Sequence, residues 1–268
     1  MGYTNSSLVA FTRLSPNHSG KRTHRIDRIS PHCVVGQCTA ESLGEWFSAE
    51  STGASANYGI DKDGRVGLYV EEKNRSWCTS SNSNDQRAVT IECASDVKEP
   101  YWMNERVYDS LIRLCVDICR RNGKKKLLWF GDREKALNYV PAADEMVITV
   151  HRWFANKSCP GDWLYARLDD VATKVTALLD GTGTGGPQNT GSDAGSMTDK
   201  ECPFMVKVSI PDLNIREGAG TDTARTGEYT GVGTFTIVEV RTGEGSENGG
   251  GRLKSGMGWI ALDYCQKV

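Results

Sequence analysis

Only four histidines occur in the 268 residues, so each can be weighed by its neighbours. His151 ends the apolar run Met146-Val147-Ile148-Thr149-Val150, and the loop after it brings Lys157 six and Cys159 eight residues later. A strand that ends in an imidazole, followed by a loop returning a thiol, directs two soft donors at one cation, and zinc accepts both. His32, in Ile29-Ser30-Pro31-His32-Cys33, is the other candidate. Two histidines and a cysteine would make a three-donor site with a fourth position open for water, as in catalytic zinc centres. On spacing alone a satisfied polar histidine and a small buried cysteine are equally open readings. His18 and His24 lie in the polar stretch Asn17–His24 and are assigned no role.

Hydrolysis at such a centre needs a proton acceptor. Glu92 sits inside the apolar stretch Ala88-Val89-Thr90-Ile91-Glu92-Cys93, where an unpaired acid is costly unless it has a task or a partner. An edge strand with Glu92 in solvent is the alternative. Lys157 could set a positive charge beside a developing oxyanion, or it could simply be solvated.

These residues must be held by ordered elements. Helical spacing predicts a helix over 39–49 capped by Thr39, with Leu43, Trp46 and Phe47 on its stripe. A longer one is predicted over 104–122 through Val107, Leu111, Leu114, Cys115 and Ile118, stopped by Gly123. A third runs over 163–179 through Leu164, Leu168, Val171, Val175 and Leu178. Strands are predicted over 56–60, 65–70, 88–93, 126–130 and 145–150, with a turn at Lys62-Asp63-Gly64. Interleaved helices and strands give an α/β class, a mixed sheet covered by helices.

Glycine divides the chain: 11 of 29 fall in residues 1–180, and 18 in the last 88. Residues 181–201 are rich in Gly, Thr, Ser, Asn and Asp and are expected to be a flexible linker. Residues 202–268 carry only strand signals between glycine-rich turns, which predicts a small all-β barrel. The expected domains are therefore 1–180, the linker 181–201, and 202–268.

Composition narrows the function. Net charge −2 with 32 basic and 34 acidic residues gives no basic field for nucleic acid. No run approaches the roughly 20 apolar residues of a membrane helix, so no membrane insertion is expected. The N-terminus shows no secretory signal pattern, and synthesis in the cytosol is expected. Gly2 followed by Ser6 meets the loose myristoylation pattern, which is short enough to arise by chance. Nine cysteines without a CxxC pair suggest reduced thiols and a metal ligand more than a disulfide scaffold.

The segments ISPHCVVGQ, SANYGIDKDGRVG, AVTIE and HRWFANKSCPG, in this order, resemble the type-2 N-acetylmuramoyl-L-alanine amidases, the zinc fold shared by AmpD-type enzymes, phage amidase lysozymes and peptidoglycan recognition proteins. The resemblance spans about residues 20–180. It implies that His32, His151 and Cys159 bind Zn2+, that Glu92 is the catalytic carboxylate of the Ile-Glu motif, and that Lys157 helps stabilise the tetrahedral intermediate. Members with a base-assisting tyrosine carry it where this chain has Ala56, so Glu92 is favoured as base, and Tyr58, two residues on, is a possible substitute. Cys159 stands where AmpD-type relatives have an aspartate.

LNIREGAGT, GTFTIVEV and LKSGMGWIALDY are similar to bacterial SH3-type domains of cell-wall hydrolases, with Tyr229, Trp259 and Tyr264 as candidate wall-binding aromatics. Together the resemblances imply a phage endolysin that cuts the bond between N-acetylmuramic acid and L-alanine in bacterial peptidoglycan, with no obligate protein partner and with access to the wall after release. Three alternatives stand beside it: a cysteine peptidase of the stem peptide using Cys38 at the start of the first helix, a non-catalytic peptidoglycan binder, and a bacterial autolysin or sporulation amidase.

Overall fold

Three short segments share a pattern in which a hydroxyl residue is flanked by apolar ones: Ile29-Ser30-Pro31, Val89-Thr90-Ile91 and Ile148-Thr149-Val150. Successive side chains of an extended chain point to opposite faces, so each segment is apolar on one face and polar on the other. In the computed structural model, which describes residues 3–181 and 202–267, the three lie on or just beyond adjacent parallel strands.

The chain forms two compact units. In the first, β1 (Val9–Thr12), β2 (His18–Lys21), β3 (Arg28–Cys33), β4 (Tyr58–Ile60), β5 (Val66–Leu68), β6 (Asn74–Ser76), β7 (Ala88–Cys93), β8 (Lys126–Leu128) and β9 (Glu145–Ile148) alternate with helices. Seven of these strands form one sheet in the order β1-β5-β4-β7-β3-β9-β8, while β2 and β6 pair separately. Every neighbour pair in the large sheet is parallel except β4 with β5, so the sheet is mixed. The register sets His32 beside Glu92 and Ile29 beside Ile148.

Helices cover both faces. On one, α1 (Ala40–Ser48) is closed at its start by a capping box between Thr39 and Ser42, as Thr39 predicted. Leu43 and Phe47 are buried with Ala56 and Tyr69, whereas Trp46 is 54% exposed and leaves the expected stripe. The short α2 (Asn82–Asp85) packs beside β7. On the opposite face, α3 (Glu105–Arg121) buries all five predicted stripe residues against Ile29, Val89 and Ile91. After α4 (Arg133–Asn138), the third predicted helix is divided into α5 (Asp162–Tyr165) and α6 (Leu168–Leu179).

Four strands, β1, β2, β3 and β6, were not expected from the sequence. The important one is β3, masked by Pro31 and by charged Arg28, since proline argues against a central strand. Thr149 N–H donates to the Ile29 carbonyl at 3.0 Å, and Pro31, two residues on, faces the same neighbour but has no N–H. The β3–β9 ladder ends there, and no donor is missed.

The second unit is all-β: β10 (Phe204–Val208), β11 (Asn214–Arg216), β12 (Arg225–Tyr229), β13 (Gly233–Gly243), β14 (Ser246–Leu253), β15 (Trp259–Ala261) and β16 (Cys265–Lys267). Its order is β12-β11-β15-β14-β13-β10-β16, all antiparallel. This order has two ends, so the expected barrel is here an open seven-stranded sheet. Phe204, Val206 and Val208 alternate inward to a core with Ile215, Ile237 and Ile260. The expected linker, apart from Gly181, lies outside the described residues. All nine cysteines are free thiols, and no helix among the described residues is long and apolar enough to cross a membrane.

Leu111 of α3 is fully buried in the first core. Leu111→Ala should cost about 2–5 kcal/mol, the range for a large-to-small change in a packed interior, and urea denaturation of the first unit's transition measures it.

Candidate active site

Arg28, Ser30 and His32 share one face of β3, and Thr90 and Glu92 share the matching face of β7. His151 follows β9 in a 3-10 turn (His151–Trp153), two residues after Thr149. This face is buried and polar, so its groups must find partners within the protein. Asn84 of α2 supplies many of them. Its Nδ2 donates to Ser30 Oγ (3.1 Å) and Thr79 Oγ1 (3.3 Å), and its Oδ1 accepts from Arg28 Nη1 and Thr149 Oγ1 (both 3.0 Å). Ser30 and Thr149 also join hydroxyl to hydroxyl at 2.6 Å. Thr90 Oγ1 pairs with Ser76 Oγ (2.8 Å) and accepts from the Asn57 N–H (3.0 Å).

Above this row, at the carboxyl ends of the strands, the predicted residues converge. Cys159 Sγ is 3.1 Å from His32 Nδ1, and the His32 and His151 rings stand 5.2 Å apart. One donor atom from each of His32, His151 and Cys159 lies within 4.8 Å of the others. Glu92 Oε1 is 3.9 Å from His32 Nδ1. Lys157 is exposed at the rim, close enough for its charge to act on His151. Gly161 closes the loop at φ +84°, where a Cβ would meet the Pro100 carbonyl oxygen and Tyr101 Cβ at 2.9 Å, so the terminal glycine of the block is sterically required.

Two residues missed from the sequence complete the site. Cys78 Sγ lies 3.8 Å from Glu92 Oε1, and with His32 and Glu92 it forms a second group whose donor atoms lie within 4.8 Å of one another. Ser80 Oγ is 3.0 Å from His151 Nε2, and its backbone is left-handed (φ +61°), a strained conformation for a residue with a side chain. Asp85 anchors this loop by accepting from Thr79 Oγ1 at 2.6 Å and from the Cys78 N–H at 3.2 Å. The repeated hydroxyl residue two places before His32, Glu92 and His151 is the sequence signal that could have united the three strands.

Burial sets the protonation states. It lowers the pKa of His32 to about 3, helped by His151, and it lowers that of His151, helped by Lys157. Both rings are therefore neutral, the form that binds metal. Burial raises Glu92 to about 7, against a smaller opposing effect of the Cys78 hydrogen bond. A hydrogen bond with Cys33, then burial and the Glu92 charge, raise Cys159 well above the ordinary thiol value. A nearby cation would reverse that penalty, because metal coordination favours the thiolate. His32 Nε2 and Glu92 Oε2 are buried without a hydrogen-bond partner. Two neutral imidazoles and a thiol, with a ring nitrogen unsatisfied, fit a zinc-type donor set.

Other candidates are placed elsewhere or differently. The buried Tyr58 hydroxyl donates to Glu72 Oε1 and accepts from the Ser6 N–H, both at 2.8 Å, so its bonds lead away from the His32 group. Cys38 does precede α1, but burial raises its pKa to about 11, reinforced by Glu92 and Asp61, the opposite of an activated nucleophile. Among the wall-binding candidates Tyr229 is 51% exposed, Trp259 is buried with the Arg241 guanidinium 5.2 Å from its ring, and Tyr264 is half-buried against the second core.

The family profile described as N-acetylmuramoyl-L-alanine amidase matches residues 20–162. Among solved structures, a mutant endolysin from Bacillus subtilis is 13% identical, covers 62% of this chain and 99% of its own, and has a TM-score of 0.43. The Staphylococcus aureus hydrolase AmiA in complex with its ligand is 12% identical, with coverages of 68% and 96% and a TM-score of 0.44. The N-acetylmuramoyl-L-alanine amidase LysC from Clostridium intestinale is 12% identical, with coverages of 62% and 96% and a TM-score of 0.39. A search of curated proteins gave no match.

Tyr58→Phe separates structure from chemistry. Loss of the hydroxyl partner of Glu72 and Ser6 should cost about 1–3 kcal/mol in thermal or chemical unfolding, while the turnover rate stays within about twofold of the parent, a change worth under 0.5 kcal/mol in the barrier. A loss of turnover far beyond that would give Tyr58 a part in the reaction.

Proposed function

The chain belongs to the N-acetylmuramoyl-L-alanine amidase family, and from that premise we propose that it is a zinc-dependent endolysin hydrolysing the amide between N-acetylmuramic acid and L-alanine in bacterial peptidoglycan. The observation that carries this reading is the convergence of His32, His151 and Cys159 within 4.8 Å, with the Glu92 carboxylate beside them.

In this reading His32, His151 and Cys159 hold the zinc. A bound zinc ion supplies Lewis acidity that polarises water and the amide carbonyl. Glu92 takes a proton from the attacking water and returns one to the departing L-alanine nitrogen. A carboxyl raised to about 7 suits both transfers near neutral pH. Lys157, at the rim, sets its positive charge beside the tetrahedral oxyanion. Ser80, through His151, and Cys78, through Glu92, keep these side chains aimed.

The second unit is proposed as an SH3-type wall-binding module, with exposed Tyr229 as the most accessible of its three aromatic candidates. A weak wall-binding unit raises the effective concentration of the catalytic one along an insoluble polymer. Synthesis in a bacterial cytoplasm and action on the wall after release, in the manner of a phage enzyme, belong to the same proposal. The peptidase reading loses ground because Cys38 is held protonated.

Mass spectrometry of purified Gram-positive peptidoglycan after digestion tests the activity. Free stem peptides beginning at L-alanine with intact sugar strands are expected, and cuts inside the stem peptide would overturn the amidase reading. Glu92→Gln should lower turnover by about 10²–10⁴-fold, the usual contribution of a general base, with metal content by elemental analysis unchanged. Removing zinc with a chelator should abolish hydrolysis, and adding it back should restore it. Deleting residues 202–268 should slow lysis of whole walls far more than cleavage of a soluble muropeptide, and equal losses would argue against a division of labour between the units.

A further inference from the structure

The polar face of β3 has a second end. Arg28 lies four residues before His32, roughly 13 Å away at about 3.3 Å per residue, and lines a cavity of about 480 Å³ with His24, Arg25, Asp27, Ser83 and Arg87 among its walls. Three guanidinium groups face one carboxylate there. Arg87 is committed to it, with Nε and Nη2 donating to Asp27 Oδ1 and Oδ2 at 2.8 and 2.6 Å. Arg28 is 5% exposed. Its Nη1 donates to the neutral amide of Asn84, and its Nε is buried without any partner. Arg25 is exposed and makes no ion pair among the described residues.

A buried guanidinium whose hydrogen-bond partner is only a neutral amide is costly. Burial first, and then the charge of Arg87, lower the Arg28 pKa to about 10, and the Asp27 carboxylate only partly opposes them. Guanidinium forks match the oxygens of phosphate, often two bonds at a time. The surplus of two positive charges matches a phosphate dianion, and the Ser83 hydroxyl adds a neutral donor in the wall.

We propose that this cavity is an anion site, separate from the His32 group, that takes a phosphate group between Arg25 and Arg28. The proposal is independent of the hydrolytic reading, since none of these residues takes part in it. The phosphate could be a free one or part of a phosphodiester polymer.

Isothermal titration calorimetry of the full chain with sodium phosphate, against sodium chloride and sodium acetate at matched ionic strength, tests it. Saturable 1:1 binding of phosphate is expected. Arg25→Gln, at an exposed position, should weaken it about tenfold, the equivalent of one charge-assisted contact, and Arg28→Gln should abolish it. Heats indistinguishable from chloride, acetate binding as tightly as phosphate, or an unchanged affinity in folded Arg25→Gln would overturn the proposal. Competition by a glycerol-phosphodiester oligomer would identify the polymer as the source, and binding of inorganic phosphate alone would identify a free phosphate. Both outcomes support the site.

Discussion

Asn84 is buried, and its side chain makes four hydrogen bonds, to Arg28, Ser30, Thr79 and Thr149, from a helix of only four residues. A parallel sheet covered on both faces ordinarily carries apolar side chains on both. Along β3, β7 and the end of β9 this one carries polar groups on one face, which is stable only where most of them are satisfied inside the protein. Asn84 and the hydroxyls of Ser30, Thr90 and Thr149 meet that condition. They allow the next residue on the same face to be an imidazole or a carboxylate in a buried place, and so His32, Glu92 and His151 stand together at the strand ends. The loop holding Cys78 and Ser80 is tied to the same network through Thr79 and Asp85.

The apolar side of this arrangement was legible in the sequence. Helical spacing found α1 with its Thr39 cap and α3 with its stop at Gly123, because caps and stops act locally and the stripes need only a period of 3.6; the Asn104 cap of α3 was not read from the sequence. Ala88–Cys93 was found to the residue. The central strand β3 was not, since Pro31 and Arg28 contradict local strand preference and are tolerated only through tertiary pairing and the Asn84 bond. The break between α5 and α6 falls within one unbroken apolar stripe, so spacing could not show it.

For the site, residue types and the resemblance proposed His32, Glu92, His151, Lys157 and Cys159, and the fold gathers the donor residues and Glu92 into one group. Cys78 and Ser80 were invisible because their part comes from the path of a loop with no periodicity. Tyr58 was offered by its strand position, but its hydroxyl had already been claimed by Glu72 and Ser6. In the second unit, β12 and β14 are weakly marked in the sequence because Arg225–Tyr229 and Ser246–Leu253 hold too few apolar residues to alternate. Their pairing is carried by backbone hydrogen bonds to stronger neighbours.

The nine unpaired thiols have a further meaning. Oxidation by peroxide proceeds through the thiolate, and burial holds Cys93, Cys115, Cys119 and Cys265 in the protonated form. These four are slow targets outside a reducing compartment, so the core can survive exposure to air without disulfides to brace it. The exception is built into the chemistry. A cation beside Cys159 would draw out the thiolate, so the residue that completes the donor set would also be open to oxidation in a way these four are not.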